Sequence, residues 1–379
     1  MDAAVDEGFI VRNGERYQFA HDKIKEAAYN TLERGVRADR HFTYGRHLIE
    51  IWSSANKDSE KNSSAITNDE LLIISVGQFN LAGPVIESGT QLSTDIAQYN
   101  LTAAKAALRK TDFLSANNFL NHGIGFLNED YSWLCSYELT LELHELAVKC
   151  ALVIGDFDKL TKVSNKVLEN ACCFEDKLTT SIVVMASLAY ASKITDAVTM
   201  GFNILMQLGH TVPTHLSTSE IMTRFQQTQT VLDNMSDQIL LNYKRIVDTR
   251  HSIAIKVLAK LNLILYQVDP DLQPIVTLEM INITIEHGMS VMSPIGFAYY
   301  AGMLAKCGEM QNGYRFAKLA KLLYEKDIVK ETAGELIFMT SEVISYFEPL
   351  QTINEYRANG QIVASAAGDV NFACMLRLM

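Results

Sequence analysis

The chain has 379 residues, a formal net charge of −11 and a pI near 5.3, which argues against a generally basic nucleic-acid binder. Hydrophobic residues make up 48% and charged residues 20%, so apolar surface is ample to offset the entropy of ordering, and a disordered chain is excluded. With 20 Gly and 6 Pro, and no Pro between Pro84 and Pro213, the composition favours long helices over a turn-dense all-β fold.

Residues 1–33 predict a small α+β corner. Ala3 to Glu7 reads as a helix end with Gly8 behind it, and Phe9-Ile10-Val11 as a short strand. Asn13-Gly14 is the pair expected at the centre of a tight hairpin, because both central positions of a type I′ turn need positive φ. Tyr17-Gln18-Phe19 alternates as the return strand, and Lys23 to Leu32 has helical spacing through Ile24, Ala27, Ala28 and Leu32. Helix, strand, hairpin, strand, helix is the order at the end of a winged-helix domain. Residues 34–94 are expected to be linking helices, with a mobile loop over the polar stretch 53–70.

From residue 95 to 379 one theme recurs: a helix, a short turn and another helix. The expected turns are Lys110-Thr111-Asp112-Phe113, Ile154-Gly155-Asp156-Phe157, Ile194-Thr195-Asp196-Ala197, Cys307-Gly308-Glu309-Met310 and Ala367-Gly368-Asp369-Val370. In each, a small residue ends one helix and an acid opens the next, where it can cap free N–H groups. Leu139, Leu143, Ala147, Cys150 and Ile154 mark one helix face, and Phe157, Leu160, Val163, Val167 and Ala171 the matching one. Between Pro213 and Pro274 the period lengthens to a helix over Ser219–Met235 and a second from Asp237 towards Val268. Roughly fourteen helices are expected. The fold class is therefore all-α: a right-handed antiparallel helical-repeat (tetratricopeptide-like) solenoid with a winged-helix remnant at its N-terminus.

Several residues of the opening carry a family resemblance. Glu7-Gly8-Phe9-Ile10, then Tyr17-x-Phe19-x-His21-Asp22-Lys23-Ile24-x-x-Ala27-Ala28-Tyr29, resembles the winged-helix end of the STAND-type (signal-transduction AAA-like) ATPase module. The version it is most similar to occurs in large hybrid sensor histidine kinases and serine/threonine kinases. Tyr44-Gly45-Arg46-His47, Trp133 with Tyr137, Gly155-Asp156-Phe157, Leu208-Gly209 before Pro213, and Gly313-Tyr314-Arg315-Phe316 follow in the family's order. The resemblance implies a non-catalytic regulatory and protein-interaction arm that biases a nucleotide switch using ATP/ADP with Mg in the parent module. The chain has no GxxxxGK[ST] and no kinase motif set, so it is expected to bind no cofactor and catalyse nothing by itself. The alternatives are a free-standing helical scaffold for peptides or proteins, and a truncated gene model of an ATP-binding multidomain kinase.

The resemblance also implies that His21, beside Asp22, senses bound nucleotide. The competing reading is that both residues simply cap the following helix. Trp133 and Tyr137, with Tyr300 and Tyr314, are candidates to line a ligand groove, or else packing aromatics. Arg34, Arg37, Arg40, His41, Arg46 and His47 form a basic strip read as a solvated or interdomain face. His210 and His215 flank Pro213 without further ligands, so no metal site is expected. Cys135, Cys150, Cys172, Cys173, Cys307 and Cys374 show no CxxC pair and read as small buried hydrophobes in a reducing compartment. The acidic opening is not a signal pattern, and the most apolar stretch, Ile253 to Val268, is broken by Lys256 and Lys260. The expected partners are other proteins, or the ATPase and kinase domains of the same polypeptide, and a small ligand. The expected location is cytoplasmic, without membrane contact.

Overall fold

The computed structural model describes residues 2–14, 16–57, 68–129, 131–269 and 271–379. Twenty α-helices, more than the roughly fourteen expected, two short 3-10 helices and one two-stranded sheet make up the regular structure of the described residues, so the all-α class holds among them. Contacts divide the chain into two units, Met1–Cys150 and Ala151–Met379.

The first unit opens with α1 (Asp2–Asp6), β1 (Ile10–Asn13), β2 (Arg16–Phe19) and α2 (Asp22–Asn30), followed by α3 (Arg34–Lys57) and α4 (Asn68–Ala82). It continues through α5 (Gln91–Arg109), α6 (Phe113–Phe126), the single turn α7 (Ser132–Cys135) and most of α8 (Tyr137–Ile154). The hairpin is antiparallel with Asn13 paired to Arg16, so its turn lies one residue later than expected. Gly14 carries the positive φ, at +66°, while Asn13 ends a strand. Of the expected loop over 53–70, residues 53–57 complete α3 and 68–70 open α4, and 58–67 lie outside the described residues. Asn80 of α4 and Asn100 of α5 exchange amide hydrogen bonds at 2.9 and 3.0 Å, and Asn100 is buried. That reciprocal pair satisfies polar groups that would otherwise be stranded between two packed helices.

The second unit carries α9 (Phe157–Asn170), α10 (Phe174–Tyr190), α11 (Ile194–Gln207), α12 (Thr218–Asp233), α13 (Asp237–Leu241) and α14 (Thr249–Val268). It ends with α15 (Gln273–His287), α16 (Ser293–Lys306), α17 (Met310–Lys326), α18 (Ala333–Ile344), α19 (Leu350–Ala366) and α20 (Val370–Leu378). Helix α16 packs on α15, α17 and α18 together, which is why Ser293 to Ala301 is buried without a polar face. Each fully buried aromatic at this packing, such as Phe297 of α16 or Phe316 of α17, contributes roughly 1.5–3 kcal/mol by leaving water.

One turn that leads directly from one helix into the next recurs in both units; α11 closes by the same bonds at Gly209 and His210, without a helix directly after it. After α5, the N–H of Thr111 bonds to the carbonyl of Leu108 and that of Asp112 to Ala107, five residues back. The same pair of bonds closes α8 at Gly155 and Asp156, α10 at Ser192 and Lys193, α16 at Gly308 and Glu309, and α19 at Gly368 and Asp369. The first residue of each pair has a φ between 58° and 88°, which ends the helix in the left-handed region. The second then serves as N-cap of the next helix. Asp112, Asp156 and Asp369 do so through their carboxylates, which accept the N–H of Ser115, Lys159 and Phe372. Four of the five expected turns are in place. The fifth lies three residues earlier than expected, since Ser192 takes the left-handed conformation and Asp196 is already inside α11.

Three other expectations are corrected. Phe157, expected on the buried face, is exposed, and α9 buries Leu160, Ser164 and Val167. Among the cysteines only Cys150 is buried, because the others fall at helix ends and on outer faces. The single helix from Asp237 to Val268 is broken over 242–248. There the chain runs beside the α15–α16 connection, with Ile246 N–H bonded to Met289 O and Met289 N–H to Lys244 O. Tyr243 adds a bond from its hydroxyl to Ile285 O at 2.8 Å. These partners lie about forty residues away, so helical periodicity alone does not reveal the break.

Gly288 makes that approach possible. Its φ is +124°, and a Cβ there would stand 2.7 Å from the backbone of Arg245 and Ile246. Gly288→Ala is expected to lower stability by roughly 2–4 kcal/mol, combining strain with overpacking. Gly209→Ala, at another positive φ but with open space around it, should cost only about 1 kcal/mol. Urea unfolding of the two variants checks the ordering.

Candidate functional site

The residues singled out in the sequence fall in two places. His21 and Asp22 lie in the first unit at the start of α2. His21 has extended backbone angles, and its Nδ1 accepts the Lys23 N–H at 3.1 Å, so it is the N-cap. An imidazole that accepts at Nδ1 carries its proton on Nε2, which fixes an outward-facing donor. Asp22 occupies the first helical position, where its charge meets the positive end of the helix dipole.

The surroundings of α2 are unusual. No described residue from 2 to 30 with an assigned exposure is buried, although this segment carries Phe9, Val11, Tyr17, Phe19 and Tyr29. It is anchored at one end through polar contacts. The Tyr29 hydroxyl lies 2.9 Å from Nε2 of His41, and Nδ1 of His41 lies 2.8 Å from Oε1 of Gln78. Since Oε1 can only accept, Nδ1 donates to it, Nε2 is left as the acceptor, and Tyr29 donates. Arg37 lies over the Tyr29 ring at 4.9 Å and donates to Asn30. Three of the six residues of the basic strip thus have partners within the unit, Arg37, His41 and Arg46, the last facing Glu50 at 3.9 Å on the surface.

The groove aromatics separate into packing and surface residues. Trp133 packs edge-on against Tyr137 and at 5.0 Å against the ring of His144, which fastens α7 to α8. Tyr300 is fully buried against Phe225 and Phe316, so it is a core residue and does not line an open groove. Its hydroxyl has no hydrogen-bond partner among the described residues, and burial pushes its pKa far up. Tyr314 is half-buried, stacks on Phe347 at 4.5 Å and donates to Glu348 at 2.9 Å, beside Lys318.

The second unit also assembles polar groups that sequence spacing did not suggest. His210 pairs with His251 at 2.9 Å rather than with His215, and His251 stacks on His287 at 3.6 Å. Burial first, then the neighbouring imidazoles, depress the pKa values of His210 and His251. Among the described residues no cluster is suited to hold a metal ion.

Glu335 of α18 is 2% exposed and accepts the Tyr299 hydroxyl at 2.9 Å. Burial pushes its carboxyl up to about 7, with Lys260 partly opposing the shift. The one sequence signal for it is a single acid inside the apolar run Leu336-Ile337-Phe338-Met339 and its small neighbours Ala333 and Gly334. Compared with known proteins, the chain matches no family model and no curated protein. No described helix is long and apolar enough to cross a membrane.

Glu335 gives a signed pH dependence. Its folded pKa lies above its unfolded one, so the folded state holds the extra proton and stability is lost as pH rises from about 4.5 through about 7. Glu335→Gln keeps an acceptor for Tyr299 and removes the titration. Unfolding free energies measured at pH 5 and pH 8 should differ less in the variant than in the parent. The variant's gain at pH 8 is at most about 3 kcal/mol.

Proposed function

We propose that this chain is the non-catalytic regulatory and interaction arm of a signal-transduction ATPase of the STAND type, linked to a protein kinase. Its helical hairpins would form a right-handed tetratricopeptide-like solenoid that binds a partner or ligand in the cytoplasm. By binding differently to the closed and open forms of the ATPase, it would shift the balance between them, since only differential affinity can move such an equilibrium. The observation that carries this reading is the opening segment. A β-hairpin and two short helices carry Phe9, Val11, Tyr17, Phe19 and Tyr29 exposed and bury none of them, which suits a surface covered by a neighbouring domain. The recurring helix-end turn supports the repeat reading, because the same pair of bonds ends one helix and leads directly into the next at five places. His21 supports the switch reading through its fixed Nε2 donor, a group suited to a phosphate oxygen.

The test is calorimetric titration of ADP into this chain and into a polypeptide that carries the ATPase module ahead of it. Binding should occur only in the longer form, and His21→Ala should weaken it by roughly tenfold or more. His21→Asn separates sensing from capping, since Asn is a good N-cap but is too short to reach where Nε2 stands. If both variants bind ADP like the parent, the sensing role is wrong. If the longer form binds no nucleotide, the chain is better read as a free-standing scaffold.

A further inference from the structure

The second unit contains a pocket of about 270 Å³ built from parts of the chain that are far apart in sequence. Ala189 and Tyr190 come from the end of α10, Lys260 and Leu263 from α14, and Asp369 and Phe372 from the start of α20. Most of the lining is aliphatic or aromatic, and charge enters at three points only: Lys260, Asp369 and, from an exposed rim position, Glu331.

Lys260 is half-buried, and among the described residues its ammonium makes no hydrogen bond or direct ion pair, although its charge is felt by Asp369 and Glu335. An ammonium that opens onto a mostly apolar pocket can pair there with an anionic acceptor. Asp369 uses its Oδ1 to hold the Phe372 N–H at 3.2 Å, and a carboxylate has further lone pairs for an ammonium donor. The site therefore offers one cation and, beside it, one carboxylate with a second at the rim.

We propose that this pocket binds a small zwitterion with an apolar side chain: an α-amino acid of the leucine, methionine or phenylalanine type. Its carboxylate sits on Lys260, its ammonium on Asp369 and Glu331, and its side chain against Leu263 and Phe372. Size selects a small ligand, since drug-sized pockets begin at roughly 300 Å³. Charge excludes the simpler alternatives. A phosphate or nucleotide would meet two carboxylates and one lysine, and an amine alone would leave Lys260 unanswered. Because the pocket joins α10, α14 and α20, a bound ligand ties together helices that otherwise share few contacts. The site would give the arm a ligand to sense, yet it stands whether or not the chain serves an ATPase.

Calorimetry on the 379-residue chain with L-leucine, L-methionine and L-phenylalanine tests the proposal. Isocaproate and isoamylamine serve as leucine analogues that lack the ammonium and the carboxylate respectively. At least one amino acid should bind saturably, and both analogues should bind roughly tenfold or more weakly, each having lost a charge-assisted contact. Lys260→Met, which keeps the bulk of the stem, should weaken binding by a similar factor. Glu331→Gln, at the exposed rim, gives a second variant that leaves the core untouched and should weaken it less. The proposal is overturned if no amino acid binds at millimolar concentration, or if isocaproate binds as tightly as leucine. It is also overturned if folded Lys260→Met binds like the parent.

Discussion

Neither helix of a pair can bury its apolar stripe alone, so this fold depends on how the chain turns at helix ends. The recurring turn solves two problems at once. Two N–H groups reach back to free carbonyls of the finished helix, and the next side chain or backbone group opens the following one. The left-handed residue between them is Gly at three of the five turns, but Thr111 and Ser192 at the others. Those two accept a conformation that costs an L-residue of order 1–2 kcal/mol. Burial of the neighbouring helices must exceed that cost for the turn to persist.

Much of this was legible in the sequence because the signals are local. Gly or Thr followed by an acid marks a helix end and a cap within two residues, and such pairs placed four of the five turns correctly, Thr195-Asp196 being the exception. His21 was legible in the same way, as a cap candidate before a helical run. The failures share one cause, which is that the deciding partner is distant. Ser192 has no glycine to announce it. The break over 242–248 depends on Met289 and Gly288, and the imidazole cluster joins His210, His251 and His287 from three separate helix ends. Tyr300 resembles a groove aromatic in sequence, and only the packing of α16 against three neighbours makes it core.

The two units distribute polarity differently. In the first, the segment before α3 has hydrophobic side chains without a core, held through Tyr29, His41 and Gln78. In the second, charge is taken inside: Glu335 with Tyr299, and Lys260 near Glu335 and Asp369. Buried ionisable groups are costly and persist where partners or function compensate them. An exposed apolar segment in one unit and internal charge around a pocket in the other suit a protein that is covered at one place and binds a ligand at another.

The most direct test of the regulatory-arm account is hydrogen exchange over residues 9–29. It should be measured in this chain and in a polypeptide that carries the ATPase module, with and without ADP. The account predicts fast exchange in the chain alone, strong protection in the longer form, and further protection around His21 when ADP is bound. Equal, rapid exchange in all three states would show that nothing covers the opening segment, and would contradict the account.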